Sequence, residues 1–578
     1  MKLILKFLRP HWKLCVIAIA LLIMDVAGAL YIPTLAAEML NKGTAGSAFQ
    51  ELWQTGIKMA VVSVVAGGCA LLGSYACSRL SSNLSKDMRT AIYRKSLQLS
   101  IYDFRQFGTA SMTTRTISDV SNIQLAVVSL LQMVLPVPAI FVIALTLAFR
   151  LDTQMGFLLL GTICFILLVA YAVMRSAAPQ FKKLQKLLDR MSTVLLENLT
   201  GVRVVRAFNN EGREEARLDE AFSSYADTAI RANRKYANLD GLAFFGINLM
   251  IVVVYWLSGG RISAGHLQIG DVTALIEYAM MVLFYLMMAQ MVILTLPRAM
   301  ECCARVQAIL DHSPEIQDLV TEEQYSAPKK TNEVLSFRDV SFRFADAEED
   351  TLRNLNFVCR RGETTAIIGG TGSGKSTIAS LILRFHDVTQ GAVCMNGQDI
   401  RQIPQNRLRE QLAYVQQKAW LFSGTIAENL RYSNPNATEE ELMHATQVAQ
   451  AADFINKLPG KLDAYVAQGG TNFSGGQRQR LSIARALVKH PDLYIFDDSF
   501  SALDFKTDAA LRKALAAETK EAAVLIIAQR VSTIRNADQI IVLHEGQMVG
   551  IGTHEELMQS CPLYQEITHS QTKEAQEA

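Results

Sequence analysis

What this sequence lacks most is charge. Of its 578 residues only 19% are Asp, Glu, Lys or Arg, while 50% are hydrophobic; ordinary soluble domains carry about 25% charge. A basic excess is missing too. The formal net charge is +2, which gives no support to the clustered positive face that a nucleic-acid partner needs. The nine cysteines stand singly except for Cys302 and Cys303. None falls into a CxxC or Cys/His ligand spacing, so they read as buried apolar residues rather than a metal or redox site. A chain this long exceeds one hydrophobic core, so more than one folding unit is expected.

What is present is a set of long apolar runs. Crossing a hydrocarbon core takes roughly 20 apolar residues in a helix. Six runs of that kind lie near 14–38, 56–78, 125–149, 155–176, 241–259 and 272–296, and none follows. The first begins in "MKLILKFLRPHWKL" and continues without a small-residue cleavage pattern, so it reads as a retained anchor. Lys2, Lys6, Arg9 and Lys13, the set from Arg79 to Arg115, and the set from Lys182 to Lys235 all fall on one side of this pattern. The opposite connections carry little beyond Lys42, Arg150 and Arg261. Both termini are therefore expected to be cytoplasmic.

The two basic connections are long, poor in Gly and Pro, and helical in period. They are expected to extend the spans into the cytoplasm and to turn near 108–117 and 207–215. Residues 1–310 then form a helical membrane domain in contact with lipid. Residues 311–333 are polar with two prolines and read as a linker. From Val334 short β-type runs alternate with helices, which predicts an α/β domain over 334–570, followed by a polar tail at 571–578.

That second domain carries chemistry. "TTAIIGGTGSGKSTIASLIL" is an apolar strand, a glycine loop and a helix, the context of a phosphate-binding loop. Gly369, Gly370, Thr371, Gly372, Ser373, Gly374, Lys375, Ser376 and Thr377 would surround the phosphates of ATP. Lys375 is expected on the β and γ oxygens and the Ser376 hydroxyl on Mg²⁺. A second apolar strand, "DLYIF", ends in Asp497, placed to hold Mg²⁺ through its water shell.

The stretch "FSGGQRQRLSIARAL", with the phosphate loop, "LYIFDD" and "SALD", resembles the ABC transporter ATPases. With six preceding spans the whole chain is similar to an ABC exporter half-transporter. The resemblance implies that Phe344 stacks on adenine and that Gln417 touches Mg²⁺ and senses the membrane domain. It implies that Ser474, Gly475, Gly476 and Gln477 close on ATP held by the opposite subunit, and that Asp504 links the two sites across the dimer.

Three positions depart from the family pattern. Asp498 stands where the family has its catalytic glutamate, Gln529 where it has a switch histidine, and Gln468 where exporters often have Glu. A base shortened by one methylene withdraws from the attacking water by roughly 1 Å, and an amide cannot relay charge as imidazole does. The resemblance is then to the slow-site subunit of bacterial heterodimeric multidrug exporters. It implies a different partner chain that carries Glu and His, and an amphipathic small-molecule substrate. Asp25, Glu277 and Gln290 inside the spans are expected to mark a pathway. Met280, Met281, Met287, Met288 and Met291, with Phe284 and Tyr285, suit substrates of variable shape. Two further readings are an ATP-gated or regulatory membrane protein and a lipid or peptide exporter. An importer is disfavoured by the fused exporter order, and the soluble ABC ATPases are excluded by the six spans.

Overall fold

The computed structural model describes residues 2–320 and 322–577; the side chains of a few of these, Lys182 and Met291 among them, lie outside the description. The chain divides into two compact units. The first comprises residues through Leu97 and Gly108–His312, the second Gln98–Phe107 and everything from Ser313 onward.

The first unit is helical. Among the described residues six helices are long and apolar enough to span a membrane: α1 (Trp12–Thr44, preceded by a helical Lys2–His11), α2 (Phe49–Gln98), α4 (Thr109–Leu151), α5 (Thr153–Ala207), α6 (Glu211–Ser263) and α7 (Ile269–Asp311). Between α2 and α4 lies the short α3 (Ile101–Phe107). Val26 and Leu30 of α1, Ile140 of α4, Leu159 of α5 and Tyr278 of α7 share one core.

Polar residues pin the helix ends. Asp152 caps α5 through the amides of Gln154 and Met155 and pairs with Arg261. On α4, Asp119 lies in a π-turn and is 1% exposed. It accepts both arms of a fork from Arg305 on α7, at 2.7 and 2.8 Å.

The turn expected near 108–117 sits about ten residues earlier. Ser100 and Asp103 bond each other's backbone amides at the head of α3, and Gly108, at φ +76°, ends it. Residues 109–116 look like a polar break but stay helical, and Thr113, Thr114 and Thr116 satisfy their hydroxyls on carbonyls four residues back. The second turn is the three residues 208–210.

Among the described residues the second unit holds two larger sheets and a short antiparallel pair, Gly424–Thr425 with Tyr465–Val466. One has the order β2 (Leu352–Arg360), β1 (Glu333–Phe342), β4 (Gln390–Met395), β5 (Gln398–Asp399). The other has the order β10 (Gln547–Gly552), β9 (Gln539–His544), β3 (Thr364–Gly369), β8 (Ala523–Ile527), β7 (Leu493–Asp497), β6 (Leu412–Val415), and is parallel except for β9 with β10. Its central strands read as unbroken apolar runs because both faces are covered. Tyr494, Phe496, Val524 and Ile526 enter one core. Leu493, Ile495, Leu525 and Ile527 enter the other, with Ile378, Leu381 and Ile382 of the helix α8 (Lys375–Ile382). Burying each of those helix side chains contributes about 1.5–3 kcal/mol and fixes α8 over the strand ends.

Candidate nucleotide site

Alternation along β7 assembles the site. Residues 493 and 495 face α8, so Asp497 follows them to that side. There its Oδ1 accepts the Ser376 hydroxyl at 3.3 Å, and Oδ2 accepts Tyr414 at 3.3 Å. Tyr414 escaped the sequence reading. It lies opposite Ile495 on the neighbouring strand, a register that only pairing reveals. Burial raises the Asp497 carboxyl above the usual carboxylate range, while these two hydrogen bonds oppose the rise. A hydroxyl beside a buried carboxylate is a hard-oxygen pair that fits Mg²⁺.

The phosphate loop connects β3 to α8. A Cβ on Gly369 would lie 2.2 Å from the Leu543 carbonyl oxygen, and Gly374 adopts φ +95° with Leu352 only 2.5 Å from its Cβ position. Glycine is obligatory at both places for steric and conformational reasons. Lys375 Nζ donates to the carbonyls of Gly369 and Gly370 at 2.7 and 2.6 Å and reaches Ser373 at 3.4 Å. Burial lowers the Lys375 pKa, opposed by the charges of Asp498 and Asp497. Gly370, Thr371, Gly372 and Thr377 complete the loop and the first turn of α8. Phe344 sits at a half-buried edge, packed edge-on against Phe342 and His386 with ring centroids 4.8 and 5.3 Å away.

Asp498 is half-buried, and its backbone lies in the left-handed region at φ +46°, which Asp tolerates better than most residues with a side chain. Its amide donates to Ile527 at 2.8 Å, and its carboxylate accepts the amide of Gln417 at 3.2 Å. Gln529 is exposed just past β8. Residues 571–577 of the expected polar tail belong to the helix Pro562–Glu577. Gln571 in that helix donates to the Gln529 carbonyl at 2.7 Å and accepts the Val531 amide at 2.8 Å. No motif marks Gln571 in the sequence.

The remaining predicted residues form a separate group. Ser474 caps the helix α9 (Gly475–Leu487), and its hydroxyl and the Gln477 side chain exchange bonds with each other's amides at 3.3 and 3.0 Å. A Cβ on Gly475 would meet nothing within 4 Å, whereas one on Gly476 would lie 3.2 Å from the Ala502 carbonyl. Asp504 caps the helix α10 (Phe505–Glu518) through Thr507, whose backbone bond holds the Asp504 carboxyl below its ordinary pKa. Gln468 begins a short 3-10 turn. Among the described residues no hydrogen bond joins Ser474–Gln477 or Asp504 to the phosphate loop.

Six membrane helices followed by a parallel-sheet unit with a glycine phosphate loop and a capped glycine signature define a membrane-embedded nucleotide-hydrolysing machine. The chain belongs to the ABC transporter family and is an exporter-type half-transporter, an ATP-hydrolysing transport enzyme. Residues 15–287 match the family described as ABC transporter transmembrane region and residues 352–501 the family described as ABC transporter. The chain is 35% identical to an uncharacterized ABC transporter ATP-binding protein of Mycobacterium tuberculosis, over 98% of this chain and 97% of the relative. It is 30% identical to an ATP-dependent lipid A-core flippase of Syntrophus aciditrophicus, over 99% of this chain and 94% of the relative. A bacterial Atm1-family ABC exporter solved with ATP bound superimposes with a TM-score of 0.78 at 27% identity, covering 97% of this chain and 98% of that one.

Proposed function

We propose that this chain exports amphipathic, drug-like molecules across the cytoplasmic membrane as one half of a heterodimer, and that its own nucleotide site binds ATP but cleaves it slowly. The observation that carries this reading is the state of Asp498. Its short carboxylate is engaged by Gln417 on a backbone turned into the left-handed region, so it is poorly placed to take a proton from water. Gln529 brings an amide in place of an imidazole, which supports the same reading.

The chain's own groups suffice for binding. Phe344 offers a π-face to the base, and the phosphate-loop amides and Lys375 hold the phosphates. Ser376 and Asp497, with Gln417 beside them, would hold Mg²⁺, which when bound neutralises charge on the β and γ oxygens. The bare face of Gly475 supports approach of another chain's nucleotide there, so α9 would complete a competent site on a partner bearing Glu and His. The lysine and arginine bias supports a cytoplasmic ATPase unit.

A lipid substrate is the second reading, favoured by the lipid A-core flippases among the relatives. The deciding experiment is steady-state ATPase activity of this chain alone and mixed with a related half-transporter carrying Glu and His. Activity confined to the mixture supports the proposal, and brisk hydrolysis by a verified homodimer overturns it. Uptake of a fluorescent cationic dye against a labelled lipid into inverted vesicles separates the two substrates. A gated pore would build neither gradient.

A further inference from the structure

The chain passes between its two units at 97/98, 107/108 and 312/313, and contacts inside the second unit tie these passages together. Asp103 of α3 is 2% exposed. Its Oδ2 accepts the Ser100 amide at 3.0 Å and also the amide of Glu315, in the linker, at 3.2 Å. Two and three residues along, Gln317 and Asp318 are held by Arg384, which is 1% exposed and lies two residues past the end of α8.

Arg384 spends its guanidinium on this grip. Nη2 donates to the Gln317 carbonyl at 3.0 Å and Nη1 to Asp318 Oδ1 at 3.1 Å, with Nε on Asp387 and Nη1 also on the Ile403 carbonyl. Asp318 Oδ1 additionally accepts the backbone and side-chain amides of Gln405, each at 3.2 Å. A linker that served only as a spacer would have no use for a buried guanidinium, because burying that charge is costly unless every arm is bonded.

On another face of α3, Tyr102 and Gln106 line a recess of about 420 Å³ with Phe344, Asp346 and His386. Helix α3 therefore borders the residue proposed to carry the base and is tied, through the linker, to the helix that begins at Lys375.

We propose that residues 315–318 form a strap that transmits occupancy of the phosphate loop to α3, with Arg384, Asp318 and Asp103 as its positioning residues. A shift of α8 on nucleotide binding moves Arg384, which carries Gln317 and Asp318; Glu315 then moves Asp103 and the chain segment that joins α2 to α4. Such coupling needs a contiguous set of packed and bonded groups, which these contacts supply. The proposal rests on ATP binding at the phosphate loop.

The test is hydrogen–deuterium exchange of the full-length chain in lipid nanodiscs, with and without ATPγS and Mg²⁺. In the wild type, peptides covering 368–378 and 98–107 should both change on nucleotide addition. Asp318→Asn touches neither peptide. It should leave the change at 368–378 intact and reduce the change at 98–107 by about twofold or more, and Asp318→Glu should restore it. Arg384→Lys should act like Asp318→Asn; if it fails to fold, Asp318→Asn still decides. An unaltered response at 98–107 in Asp318→Asn would overturn the strap. No wild-type change at 368–378 would instead overturn the binding reading.

Discussion

Gln417 Nε2 stands 3.2 Å from Asp498 Oδ2, so the carboxylate that should address water is already bonded to an amide. A well-placed base contributes about a hundredfold to ten-thousandfold. Asp498→Asn should therefore lower steady-state ATPase of the proposed heterodimer only a few-fold. Gly475→Asp places a negative charge on the bare face of α9 and should lower it by at least about a hundredfold. The measurement is turnover of both variants with assembly confirmed; the reverse order would refute the proposed division of labour.

Asp498→Glu with Gln529→His should switch the proposed slow site on. Glutamate gives up some of the ease with which aspartate occupies φ +46°, a cost of about 1 kcal/mol, below the several kcal/mol that a general base supplies. Single-turnover hydrolysis, with the partner's phosphate-loop lysine replaced, should rise by about tenfold or more.

Asp497 gives a signed pH dependence. Burial raises its pKa, and Tyr414 opposes that rise. Its charged form, which the proposed Mg²⁺ site requires, is lost as pH falls through the raised value. Tyr414→Phe removes the opposing bond, so Mg²⁺-dependent ATP binding should fail at a higher pH than in the wild type. An unchanged or lowered midpoint in a nucleotide-binding titration would contradict the role of Tyr414.

Two glycines should separate folding from assembly. Gly369→Ala drives a methyl into the Leu543 carbonyl and should lower Tm and ATP binding in the isolated chain. Gly475→Ala meets nothing, so Tm and ATP binding should stay at wild-type values while turnover of the assembled pair falls.

In the membrane unit, Arg305→Met leaves the buried Asp119 without its fork, which should cost about 3–5 kcal/mol. Arg305→Met with Asp119→Leu should recover much of that loss, as read by thermal unfolding in nanodiscs.

The phosphate loop was legible because its chemistry is local: strand, glycines, Lys375 and Ser376 are contiguous, and Gly369 and Gly374 each have a steric reason within a few ångströms. Tyr414 and Gln571 were not, since the first meets Asp497 through strand register and the second reaches Gln529 across 42 residues of sequence. The polar stretch at 109–116 misled because threonine, read as a break, can serve as a helix residue that bonds its own preceding turn. The spans were legible from composition, whereas α3 depended on one buried carboxylate that accepts an amide 212 residues away.

The open hemisphere around Gly475 has a genetic consequence. Among the described residues nothing lies within 4 Å of an added Cβ there, so in the proposed pair selection on that codon acts through the partner's gene. In the proposed pair, an allele altered at Gly475 would yield a chain that folds, inserts and takes up its partner, then holds it idle. It should behave as a dominant inhibitor whose severity rises with expression, whereas an allele broken at Gly369 should be recessive, since the misfolded product never reaches the partner.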